Sequence, residues 1–87
     1  MSSMRLAFSS NRARPLSALE RGTSGTIVEV RPHHGARTDR LVALGVTVGA
    51  PVVVLQSFPG IVFVCDQTEL AVERSVADAI LVKVTEA

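Results

Sequence analysis

The adjacent pair His33-His34 is the part of this chain best suited to hold a metal, because imidazole is the usual protein ligand for borderline divalent ions. Neighbours on an extended loop point apart, however. A closed site needs about four ligands, so Cys65, Asp66 or a second chain would have to complete it. No cofactor is expected, a transition metal on the histidine pair being the weaker alternative. Cys65 ends an apolar run and reads as a small buried hydrophobe rather than a nucleophile. Asp66, Glu69 and Glu73 fall in and beside a strand, at a spacing that reads as a solvated edge. A nucleophile, a base and an orienting acid have little room to meet in so short a chain, and no phosphate-cradling glycine loop exists, since the sole lysine is Lys83. The chain is not expected to be an enzyme, and no catalytic or metal-binding residue is assigned.

Residues 37–55 must position whatever the chain does. Leu41 and Leu44 lie three apart and face one side of a helix, Arg37 and Arg40 flank that stripe, and Asp39 turns away. Gly45 suits the left-handed residue that caps a helix C-terminus. Gly49-Ala50-Pro51 closes a second turn, and Val52-Val53-Val54-Leu55 is too short and too β-branched for a buried helix. One short α-helix over about residues 36–44 is therefore predicted, lying as a lid on a sheet because a helix of that length cannot stand alone in water. Its paired guanidinium groups could dock a carboxylate-bearing partner.

The rest of the chain reads as strands and turns. Pro15 begins a helical turn over residues 16–20, where Leu16 and Leu19 plug one end of the core. Strands are predicted at 26–30, 52–57, 61–65, 68–72 and 80–84. In the first, Glu29 should face out while Ile27 on the same face needs cover, a conflict that a bulge could resolve. Phe58-Pro59-Gly60 suits a type II turn or a short hairpin loop, and Asp66-Gln67 a two-residue turn. Residues 75–79 form a helical turn that Ser75 is placed to cap. In the last strand Ile80, Val82 and Val84 face in and Lys83 faces out, while Leu81 and Val53 or Val62 add apolar surface outside, a sign of self-association or partner contact. The class is mainly β: a small five-stranded antiparallel barrel with one short helix.

Eighty-seven residues, 47% of them apolar, make one domain with a modest core. Residues 1–14 carry Arg5, Arg12 and Arg14 without an acid and read as a basic N-terminal arm; residues 15–87 are the domain. Removing those three from nine basic residues leaves six against eight acids, a body of about −2 that gives no broad attraction to phosphate backbones. Three Phe, no Tyr and no Trp also argue against single-stranded nucleic-acid platforms and proline-rich-peptide grooves. One cysteine rules out an internal disulfide and fits a reducing compartment, and no apolar run approaches a membrane span. The expected location is the cytoplasm, without direct membrane insertion.

In chain order, Leu16-x-x-Leu19-x-x-Gly22, Gly25-x-Ile27-x-x-Val30, Arg40-Leu41-x-x-Leu44-Gly45-Val46-x-x-Gly49, Leu70-Ala71-Val72 and Ala79-Ile80-x-Val82 together resemble the FeoA family of ferrous iron transport accessory proteins. The likeness spans residues 15–84, and the block from Arg40 to Gly49 is its most specific piece. It implies an SH3-like barrel that binds and modulates the cytosolic GTP-binding part of the membrane transporter FeoB. On that basis Arg37, Arg40 and apolar atoms of Leu41 or Val42 are the expected partner-binding residues. The turn at Phe58-Pro59-Gly60 is shorter than the loop of many members, and the basic arm precedes the usual start. The same barrel ends iron- and manganese-dependent repressors, but no helix-turn-helix domain is expected in 14 residues. Two other classes compete: a nucleic-acid-binding SH3-like module, and a metal-responsive or self-associating regulator related to those repressor domains; besides the transporter, a second copy of the chain, in a homo-oligomer, is a possible partner, and nucleic acid is not an expected one.

Overall fold

The computed structural model describes residues 13–32 and 38–85, the side chains of Thr38, Asp39 and Arg40 excepted. Most of the basic arm, the histidine pair, Arg37 and the expected start of the lid helix lie outside the described residues.

Six antiparallel strands form one sheet in the order β1-β6-β2-β3-β4-β5. They are β1 (Ala13–Pro15), β2 (Ser24–Val30), β3 (Pro51–Gln56), β4 (Ile61–Cys65), β5 (Thr68–Val72) and β6 (Ile80–Val84). A 3₁₀ turn (Leu16–Ala18) follows β1, helix α1 (Thr38–Ala43) joins β2 to β3, and helix α2 (Arg74–Ala77) joins β5 to β6. Five of these strands match the sequence expectation. The sixth, β1, takes in Ala13 and Arg14, which pair with Lys83 and Val82. Nothing in Ala-Arg-Pro marks a strand; β6 offers the hydrogen-bonding edge that makes it one.

The alternation of each strand puts one face inward. Ile27, Val52, Val54, Ile61, Phe63, Ile80 and Val82 are at most 1% exposed and share one cluster with Leu16, Leu19 and Val46. Each such side chain contributes roughly 1.5–3 kcal/mol on burial. Strands from both halves of the sheet thus meet around one core, which requires the sheet to curl. The leucines of the 3₁₀ turn close one end, as expected.

Irregularities fall where the pattern conflicts. The β2–β6 register shifts between Ile27 and Glu29, so Val28 is an extra residue, Ile27 faces in and Glu29 faces out. The anticipated bulge is present. Asp66 and Gln67 have φ of 51° and 75° between the paired residues Cys65 and Thr68, the left-handed geometry of a type I′ hairpin turn.

Two local expectations need correction. Gly60 does not adopt the positive φ that a type II turn requires, so Phe58-Pro59-Gly60 forms a short hairpin loop of another kind. Helix α2 begins one residue early, with Glu73 rather than Ser75 at its N-cap and no side-chain cap. Tertiary bonds hold that corner instead: the Arg74 guanidinium donates to the Ser17 carbonyl at 2.9 Å and to the Ser57 carbonyl, and the Ser17 hydroxyl donates to Asp78 Oδ1.

Candidate docking surface

Helix α1 spans only six residues, so its ends and its buried side must supply its stability. Gly45, at φ 98°, donates to the Val42 carbonyl at 3.0 Å, and the Val46 amide reaches back to the Leu41 carbonyl at 2.9 Å. These two bonds are a Schellman cap, with its apolar contact made by Leu41 and Val46 in the core. The Cys65 thiol donates to the Gly45 carbonyl at 3.4 Å, tying the end of α1 to β4.

Cys65 itself is fully buried, as its sequence context suggests. Burial first, and then the neighbouring Asp66 carboxylate, push its thiol above the ordinary value of 9.0. The raised value means that the unfolded chain releases the proton first, so stability is full below 9.0 and falls as pH rises through it. The slope is at most about 1.4 kcal/mol per pH unit. Urea titrations between pH 8 and 10.5 should show that decline for the wild type and a smaller one for Cys65→Val.

The helix presents a different surface to solvent. Val42 is 51% exposed and Leu44 43%. After the cap, Thr47 accepts from the Ala50 amide at 3.1 Å, and Gly49, at φ 97°, takes the left-handed place of a type II turn. That turn holds Val48 out at 66% exposure. Three apolar side chains thus stand out within residues 42–48, against a rigid footing. A small apolar cleft of about 180 Å³ lies beside them, lined by Leu41, Leu44, Leu70, Val72 and Val76.

The four expected contact residues separate. Val42 is exposed, while Leu41 is 6% exposed and belongs to the core, because it is the residue the Schellman cap folds over. Leu41 therefore holds the helix down rather than facing outward. Arg40 lies on α1 with its side chain outside the described residues, as is the whole of Arg37. Helical spacing does not mark Leu44 and Val48 as surface residues; for Val48 the signal in the sequence is an apolar residue between Thr47 and Gly49 in a tight turn.

Other apolar exposure is scattered. Val53 and Leu55 lie on the outer side of β3, Val28 at the bulge and Phe58 on the hairpin loop. Among the described residues no three potential metal ligands come together, and no helix is long and apolar enough to cross a membrane.

The surface sits on a fold that other proteins share. No curated protein matches the sequence. A solved structure of an iron uptake regulatory protein (FeoA) is 30% identical, with a TM-score of 0.74, over 85% of this chain and all of that one. The FeoA protein of Chlorobium tepidum is 29% identical, with a TM-score of 0.74, over 83% of this chain and 70% of its own. A manganese-dependent transcriptional repressor shares the fold alone, at 22% identity and a TM-score of 0.78, over 86% of this chain and 43% of that one. The sequence model of the FeoA domain matches residues 14–84, so with its mainly β, SH3-like architecture the chain belongs to the FeoA domain family.

Proposed function

We propose that this protein is a cytoplasmic accessory of ferrous iron uptake that acts by binding, without catalysis, to the cytosolic GTP-binding part of a FeoB-type transporter. The observation that carries the reading is the exposure of Val42, Leu44 and Val48 on a capped helix and its following turn. Apolar side chains fixed on a rigid base suit a protein interface, since little ordering entropy remains to be lost on binding. Membership of the FeoA domain family supports the choice of partner. Arg37 and Arg40 would flank this patch and favour carboxylates on the transporter, and Leu41 would anchor the helix from below. Binding there would bias the conformation of the partner domain.

The double variant Val42→Asp, Val48→Asp changes only exposed positions and should leave stability within about 0.5 kcal/mol. Its affinity for the isolated GTP-binding domain, measured by calorimetry, should fall about 100-fold, and that of Arg37→Glu, Arg40→Glu about tenfold. Wild-type affinity in both variants, with normal melting, would rule out this surface.

A further inference from the structure

The two edges of the sheet are treated differently. Edge strands invite pairing with other chains and are usually shortened, interrupted by proline or covered. β1 has only three residues and ends in Pro15, which has no amide hydrogen to offer. β5 has five residues and no proline. Around the two-residue turn Cys65 and Thr68 form the hydrogen-bonded pair, so by alternation Leu70 and Val72 also bond to β4. Glu69 and Ala71 must then direct their N–H and C=O groups away from the sheet. Among the described residues no backbone group from outside the hairpin meets them.

The apolar cleft runs alongside this edge, lined also by Leu41 of α1, Leu44 just after that helix and Val76 of α2. About 180 Å³ is too small for a cofactor-sized ligand but has room for one or two side chains. Glu73 lines it, and exposed Asp66 and Glu69 lie on the same hairpin. Of the two cations adjoining lining residues in sequence, Arg74 is committed to the Ser17 and Ser57 carbonyls, and the Arg40 side chain lies outside the described residues.

We propose that β5 accepts an extended, positively charged segment of another protein as a seventh strand, whose alternate apolar side chains enter the cleft between α1 and α2. Main-chain bonds to Glu69 and Ala71 supply the register, the cleft selects apolar residues at alternate positions, and the acidic rim selects lysine or arginine between and beside them. This goes beyond the helix-surface reading, which has α1 meeting a folded domain. A peptide tests it with no transporter present.

The probe is a fluorescein-labelled ten-residue peptide of alternating valine and threonine with two arginines at each end, titrated into the full chain. A second copy of the peptide carries N-methyl groups on alternate residues, which removes the edge amides and keeps the side chains. The expected result is a dissociation constant below about 1 mM, weakened at least about tenfold by N-methylation. Glu69→Lys with Glu73→Lys, or Leu44→Glu, should each weaken binding about tenfold at low salt while melting is unchanged, and amide NMR shifts should centre on Glu69 and Ala71. No binding at about 1 mM, equal binding of the N-methylated peptide, or shifts centred elsewhere would overturn the proposal. So would sedimentation showing that β5 already pairs two copies, or tight binding that appears only after residues 1–12 are removed, which would make the arm the occupant.

Discussion

Replacing Phe63 by alanine is expected to remove about 3–5 kcal/mol of stability, the largest loss available from a single side chain in this domain. Phe63 is the largest of the fully buried side chains and sits mid-strand in β4, paired with Val54 on one side and Leu70 on the other. The strands around it are fixed by their ladders, so the site cannot collapse to fill the void. A domain of this length has roughly 4–13 kcal/mol in total, so the variant should be partly unfolded at 37 °C. Chemical denaturation checks the loss directly, and Phe63→Leu should retain most of the stability because it leaves a smaller cavity. A Phe63→Ala loss under about 1 kcal/mol would contradict the packing described.

The second large effect is expected at Gly25, where adding one methyl group should cost about 2–3 kcal/mol. A Cβ there would lie 2.5 Å from the Lys83 carbonyl oxygen and 2.5 Å from Val82 Cγ1. The valine could rotate, but the carbonyl belongs to the β6 backbone, so β2 and β6 would have to part where Gly25 pairs with Val84. Gly25→Ala should therefore melt about 10–20 °C lower than the wild type. Gly60→Ala is the matched control: its Cβ would meet nothing closer than the Val72 carbonyl oxygen at 3.6 Å, and its melting point should barely move. Equal melting of the two variants would show that the β2–β6 approach is looser than this geometry.

Alternation was enough to read the strands that hold Phe63 and most of the core, because side chains in a strand switch faces at every residue whatever its neighbours are. The same alternation sets Ile27 against Glu29, the conflict that the bulge resolves. Gly45 disclosed the end of α1, since few other residues tolerate the left-handed conformation that a Schellman cap demands. These are local rules, carried by the chain itself.

Other features depend on what the sheet brings together. Ala13–Pro15 is a strand only because β6 lies beside it, and the need for glycine at position 25 comes from a carbonyl 58 residues away. Leu41 and Leu44 share a predicted helix face, yet the cap folds over Leu41 and leaves Leu44 exposed. Arg74 has no local signature for its bonds to Ser17 and Ser57, which join three separated segments. By itself, then, the sequence determined the family, the mainly β class and the helix over the sheet, because periodicity, turn chemistry and motif order are properties of neighbouring residues. The tertiary structure alone decided which apolar side chains remain outside and which strand edge stays open among the described residues, because exposure and pairing depend on contacts between residues far apart in the chain.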